Sequence, residues 1–441
     1  MKKYIYIFFL LFFSVKVFPQ TNLFTNNSPS DVIKIDSKIS KYDFVPGEIL
    51  IKFKDDIKPV LGKSSQGLAI TGIASVDAVF AKYNITQIKR LFPNEKKLQK
   101  KVILKSFNGY TFEKPSLHNI HKLTVGKADD LLRAIDELKA LPQVEYAEPN
   151  YIFSIVDDKP ISPELNESEM KEWLKNNPII KQINPNGSKN ASNQSTIQSF
   201  NLSRRSGAKT DHSKLNNDNI YKQNTVTPND PLYSQQWGIP ATQIDAVWDS
   251  TKGDTSQIIA ILDTGVDWLH PDLKNNIWIN PGEIPGNGID DDHDGFVDDI
   301  RGWDFINHDN NPLDDNSHGT HVAGIAAAEG NNGIGIAGVD WHAKIMPIKV
   351  FQSSGRGDAA TITQGIIYAI NKGATVINMS FGSYALSLTM RDALANAYAN
   401  SILVAAAGND GRCIGPGPGC APFFPAALSF VLGVQSPEAS F

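Results

Sequence analysis

From Ile258 onward, short apolar runs and helical stretches take turns, and this alternation restricts the fold more than any other feature of the chain. The runs are "IIAIL" (258–262), "KIMPIKV" (344–350), "TVINMS" (375–380), "ILVAAA" (402–407) and "FVLGV" (430–434). None alternates apolar with polar residues, which is the pattern of strands buried on both faces. Between them lie a helix of small residues beginning near His318, "ATITQGIIYAINKG" with Ile362, Ile366 and Ile370 in register and Gly373 ending it, and "MRDALANAYAN". Strands alternating with helices predict a parallel sheet covered on both sides, with its chemistry at the carboxyl ends of the strands.

The rest of the chain is organised differently. "MKKYIYIFFLLFFSVKVFPQ" has two lysines and then a short apolar run, which suits a secretion signal (1–20) better than a membrane span. Residues 21–43 form a polar leader. From Phe44 to Ile155, "PGEILIKFK" reads as a strand, "KADDLLRAIDELKALP" as an amphipathic helix and "VEYAEPNYIFS" as a closing strand. In that helix Leu131, Leu132, Ile135 and Leu138 share a face, with Asp129 and Asp130 in the first turn. These elements predict a small α+β domain over 44–155. Residues 156–226 are rich in Asn, Ser and Lys and too polar to bury a core, so they read as a disordered linker before a last domain at 227–441. A net charge of −5 gives no reason to expect a nucleic-acid partner. Cys413 and Cys420 flank a Gly/Pro loop and suit a disulfide in an exported protein, with two free thiols as the alternative.

Three polar residues stand at predicted element ends. Asp263 directly follows the first apolar strand, where a poorly solvated carboxylate needs a strong partner. His318, in "DDNSHGTHVAG", opens a helix whose Gly319, Ala323 and Gly324 allow close approach to the sheet. Asn409 follows Gly408 at another strand end and offers an amide donor to a developing oxyanion. Asp, His and Asn at one sheet edge fit nucleophilic acyl transfer.

In this order, "DTGVD", "SHGTHVAG", "VINMSFG" and "AAAGN" resemble the signature blocks of the subtilisin-like serine peptidases, from about Pro228 to the end. "VPGEILIKFKDD" and "VEYAEPNYIF" resemble the two ends of that family's propeptide. The resemblance implies a three-layer α/β peptidase domain behind a ferredoxin-like propeptide that acts as an intramolecular inhibitor. It implies a secreted monomer acting on protein or peptide substrates, free of the membrane once the signal is removed. Carried over, Asp263 orients the base, His318 is the base and Asn409 the oxyanion donor, while His321 is structural. Ser380, Phe381 and Gly382 would pair with substrate backbone, and Ala406, Ala407 and Gly408 would line the pocket beside the cut. The family's serine, in a "GTS" block, has no counterpart in the 32 residues after Asn409. Ser429, Ser436 and Ser440 lack that context, so the nucleophile is expected beyond residue 441 and the chain as written is expected to be inactive.

The resemblance also implies a Ca²⁺ site from Asp230, Asp272 and Asn332 with backbone carbonyls at Ile334 and Ile336. From spacing, Asp290, Asp292, Asp294 and Gly295 resemble the opening of a calcium loop, with Asp298 further on, although the closing glutamate is missing and a solvated acidic loop is the alternative. Asp304 and Asp309 are candidates for a third site. Two other readings stay open: a metal hydrolase using Asp263, His318 and His321, which lacks a glutamate base, and a non-catalytic binding module. The maturation site is open too, with "SRRSG" (203–207) and the region before Thr227 as candidates.

Overall fold

The computed structural model describes residues 44–107, 109, 111–156, 226–409 and 422–435. The signal, the polar leader, nearly all of the linker, Cys413, Cys420, Ser436 and Ser440 lie outside the described residues. No helix among the described residues is long and apolar enough to cross a membrane.

The N-terminal domain follows the order β1 (Phe44–Phe53), α1 (Ala74–Lys82), β2 (Ile85–Arg90), β3 (Ile120–Val125), α2 (Leu131–Lys139), β4 (Val144–Ile155). Its antiparallel sheet runs β4-β1-β3-β2, the split β-α-β arrangement of ferredoxin-like domains. α2 buries Leu131, Ala134, Ile135 and Leu138, while Leu132 is only half-buried. Leu131, Ile135 and Leu138 thus form the buried face as expected, with Ala134 added and Leu132 at the flank.

The C-terminal domain holds a six-stranded parallel sheet. Its strands are β5 (Ile258–Asp263), β6 (Trp303–Asp304), β7 (Lys344–Lys349), β9 (Val376–Met379), β11 (Ile402–Ala406) and β12 (Leu432–Val434), in the order β6-β7-β5-β9-β11-β12. Two short strands lie outside this sheet, β8 (Arg356–Asp358) and β10 (Phe381–Gly382). The long helices are α3 (His318–Ala327), α4 (Ala359–Asn371) and α5 (Leu388–Ala397). Successive residues of the strands go to opposite sides. Ala260, Leu262, Met346, Ile348 and Ile377 join Ile362, Ile366, Met390 and Leu394 of α4 and α5. Ile259, Ile261, Ile345 and Val376 join Ala323, Ala326 and Ala327 of α3. This two-sided burial makes a three-layer α/β domain and explains why the strands read as unbroken apolar runs.

Strand β4 joins the two domains. Residues 144–151 pair with β1, and residues 152–155 continue past the domain to pair antiparallel with β8 and β10. One strand thus belongs to the N-terminal sheet at one end and to the edge of the C-terminal domain at the other.

Candidate active site

Asp263 ends β5 and is wholly buried. Its Oδ1 accepts from the Thr264 N–H at 2.7 Å and from His318 Nδ1 at 2.7 Å. The approach of α3 depends on Gly319: a Cβ there would lie 2.0 Å from the carbonyl oxygen of Gly265. Any side chain would push the helix, and His318 with it, away from the strand end. Asp314 fastens the same corner. It accepts from Thr264 Oγ1, from the amides of Asn316 and Ser317, and from both the amide and hydroxyl of Thr320. Burial would raise its carboxyl, but these donors hold it below its ordinary range. Lys349 adds a buried ammonium that donates to the carbonyls of Thr264 and Phe351 and to Asp315 Oδ1. Neither residue was singled out as functional from sequence. A lone lysine closing an apolar strand was the available signal for Lys349.

The opposite ring nitrogen of His318 faces a backbone carbonyl, Val156 O, at 3.2 Å. An oxygen acceptor on each side favours the protonated form of the ring in this arrangement. Burial works against that charge, but the hydrogen bond and charge of Asp263 outweigh it, and the His318 pKa stands above its ordinary value.

Val156 directly follows β4, whose last residues lie between β8 and β10. Its N–H donates to Ser380 O at 2.9 Å and the Ile155 N–H to Gly355 O at 3.0 Å. Ser154, Phe153 and Ile152 pair with Arg356, Gly357 and Asp358 of β8 on one side, and Ile155 and Ser154 with Phe381 and Gly382 of β10 on the other. Phe153 packs edge-on against Phe381, which in turn touches Phe351. The structure therefore brings together Asp263, His318 and the 380–382 edge, and adds the 355–358 strand, Phe351 and Val156, which sequence reasoning missed. Ala406 and Ala407 lie half-buried beside β12, and the Ala407 N–H donates to Val434 O. Gly408, at φ +91°, leads to an exposed Asn409.

His321 is exposed on α3 and its ring does not join the Asp263–His318 pair. The expected calcium residues separate into two groups. Asp230 and Asp272 are both buried; Asp272 accepts from Asn332 Nδ2 and the Ile336 N–H, and Asp230 from the amides of Asn331 and Asn332. Burial, with the charge of Asp230 adding to it, raises the Asp272 carboxyl. Two neighbouring buried acids are donors a hard cation accepts, but here their contacts are N–H groups, and Asn332 turns its Nδ2 toward Asp272 while its Oδ1 takes the Ile334 N–H. The 290–298 loop departs from the expected pattern. Asp290 caps the amides of Asp294 and Gly295, and Asp298 takes the amides of Gly286, Asn287 and Gly288. Asp292, Asp294 and the unpredicted Asp299 converge instead on the ammonium of Lys372, at 2.5, 2.9 and 2.9 Å. Glu283, Asp290 and Asp292 also come close enough to share an ion. Asp304 caps the amides of Ile306 and Asn307, and Asp309 that of Asn311, so both serve their own turn.

The domain is thus a three-layer α/β unit with an Asp–His pair at one edge of its parallel sheet and an extended strand of the N-terminal domain held against it. Residues 254–438 match the subtilase family, and residues 30–150 the fervidolysin N-terminal prodomain. The chain thus carries a subtilase-family domain preceded by a prodomain of the fervidolysin type. It is 28% identical over 387 residues to the thermophilic serine proteinase of Bacillus sp. (strain AK1), covering 87% of this chain and 64% of that protein. It is 37% identical over 214 residues to thermitase of Thermoactinomyces vulgaris, covering 48% and 66%. Over 156 residues it is 42% identical to subtilisin-like protease 1 of Plasmodium vivax, covering 35% and 25%. Among solved structures, fervidolysin from Fervidobacterium pennivorans aligns over 84% of this chain and 41% of its own, at 22% identity and a TM-score of 0.46. The chain spans less than two thirds of the length of the thermophilic serine proteinase.

Proposed function

We propose that the chain is the precursor part of a secreted serine endopeptidase, and that its prodomain sits in the cleft as the first substrate and then as inhibitor. The observation that carries this reading is the Val156 carbonyl at 3.2 Å from His318 Nε2, at the end of a strand laddered between β8 and β10. A strand added to an exposed edge, with backbone bonds for affinity and alternate side chains in pockets, is how extended substrates are held. The bond to be cut is Val156–Asp157, upstream of both "SRRSG" and the region before Thr227.

In this reading His318 takes the proton of the nucleophilic serine hydroxyl and returns it to the leaving amine. The Asp263 carboxylate fixes the ring and stabilises the imidazolium. The Asn409 amide donates to the oxyanion, a role worth about 3–4 kcal/mol in the transition state. Ser380, Phe381 and Gly382 hold the substrate backbone, and Ala406, Ala407 and Gly408 line the pocket for the residue before the cut. Substrates matching the bound strand have valine before the cut and an aromatic residue three positions upstream, against Phe351 and Phe381. Ca²⁺ would be held by Asp230, Asp272 and Asn332, with the carbonyls of Ile334 and Ile336, and would tie the N-terminal segment to the loop after α3. The protein would act as a monomer.

N-terminal sequencing of the processed full-length protein tests this. Asp157 as the first residue of a product is the expected result. A first cut elsewhere, with the Val156–Asp157 bond intact, overturns it.

A further inference from the structure

We infer that the first turns of α4 and α5 form an exosite for protein substrates, one that takes an acidic side chain eight residues, and a carboxamide six residues, upstream of the residue whose carbonyl faces His318. The inference rests on the peptidase reading above and adds a determinant far from the cleft.

The occupant is visible. Glu148, 2% exposed, lies on β4 eight residues before Val156. Its Oε1 accepts from Ser387 Oγ and the Thr389 N–H, both at 2.9 Å, and its Oε2 from the Leu388 N–H at 2.7 Å. These are the unsatisfied donors of the first turn of α5, where the helix dipole also favours an anion. Two residues on, and so on the same face of the strand, Asn150 does the same at α4. Its Oδ1 accepts from the Ala360 N–H at 3.0 Å, and its Nδ2 donates to Asp358 Oδ1 at 2.8 Å and to Glu48 Oε2 at 2.7 Å. Asp358 is the N-cap of α4 and Ser387 that of α5.

Apart from Glu48, every one of these partners belongs to the peptidase domain and stays when the prodomain leaves. From Glu148 the chain runs as one strand to Ile155, with Val156 next, about 26 Å to Val156 at the usual rise of an extended strand. A protein substrate extended through the cleft would lay its own upstream residues over the same two helix ends. Short peptide substrates would never reach them.

The experiment measures binding to the matured full-length enzyme, freed of its prodomain, by fluorescence anisotropy. The probes are three peptides ending in a carboxylate at Val156: residues 148–156, the same peptide with Glu148→Gln, and residues 152–156 alone. In the glutamine form an amide nitrogen faces an N–H donor. The glutamate peptide should bind at least about tenfold more tightly than the glutamine peptide, about 1.4 kcal/mol. The enzyme variant Ser387→Asp keeps a good N-cap but sets a negative charge against the incoming acid. In it the glutamate preference should vanish or invert, while the 152–156 peptide binds as before and so reports an intact cleft. Equal affinities for the glutamate and glutamine peptides, or an undiminished preference in Ser387→Asp, overturn the exosite. Labelling by a serine-directed fluorophosphonate is recorded in parallel. A failure to label counts against the peptidase reading, while the peptide affinities alone decide the exosite.

Discussion

The two domains are joined by a buried ion pair, and its two halves should not be equally sensitive to mutation. Lys52 of β1 reaches across to Asp392 of α5 at 2.9 Å, and each side chain is 4% exposed. Burial works against both charges, yet Asp392 and Glu145 hold the Lys52 ammonium above its ordinary range, and Lys52 and Arg391 hold Asp392 below its own. The surroundings differ. Asp392 has a second cation, Arg391, bonded through Nε and Nη2 at 3.1 and 2.8 Å. Lys52 has Glu145 as its one further acid among the described residues, at 3.1 Å; that carboxyl is one-third exposed, and burial pushes it upward. Lys52→Met therefore leaves a carboxylate that is still paired and should weaken prodomain docking by about 1–2 kcal/mol. Asp392→Asn leaves two cations against one weak acid, which should weaken it by about 3–5 kcal/mol. The readout is amide hydrogen exchange at Leu388 and Thr389 in the full-length protein, because both N–H groups are bound to Glu148 only while the prodomain is docked. Exchange there should speed up about tenfold or somewhat more in Lys52→Met, and by two to three and a half powers of ten, roughly, in Asp392→Asn. The Leu394 amide, bonded within α5, should stay slow in both. Equal acceleration in the two variants, or a larger one in Lys52→Met, would refute the reasoning.

Two further outcomes follow from the site. The His318 pKa is raised, so its protonation stabilises the prodomain-bound fold fully below about pH 6.5 and that contribution is lost as pH rises through the raised value, while burial raises the Asp263 carboxyl and works against the charged pair. Melting temperatures measured on both sides of that value should fall on the alkaline side in the parent chain, and a His318→Ala variant should lack this component. The Asp230–Asp272 pair predicts that a calcium chelator lowers the melting temperature and that Asp272→Asn removes most of the response. A chelator effect unchanged in Asp272→Asn would move the ion to another group, such as Glu283, Asp290 and Asp292.

The parts legible in the sequence are those whose physics is local. The sheet could be read because β5, β7, β9 and β11 are buried on both faces, which leaves an apolar run with no alternation to confuse it. Asp263 and His318 could be read because each is polar at the boundary of such an element, and the spacing of Gly319 and Gly324 announced a close approach. What stayed hidden depends on partners far along the chain. The acidic loop reads as a cation site because its spacing is local; that Lys372 also reaches Asp292, Asp294 and Asp299 is decided by a lysine some eighty positions away. In the same way, β8 is three residues of no particular pattern, Arg356, Gly357 and Asp358, and becomes a strand because β4 lies beside it. Val156 followed the end of an apolar strand and opened a polar stretch, so composition gave it to the linker; its N–H and carbonyl go to Ser380 and His318 instead. Glu148 and Asn150 look like ordinary polar positions on a strand, yet they are buried because two helices of another domain begin there. Each hidden feature is a contact made by β4 or a charge that crosses between elements. The contact between the two domains is therefore composite: neither domain's sequence alone contains its pattern.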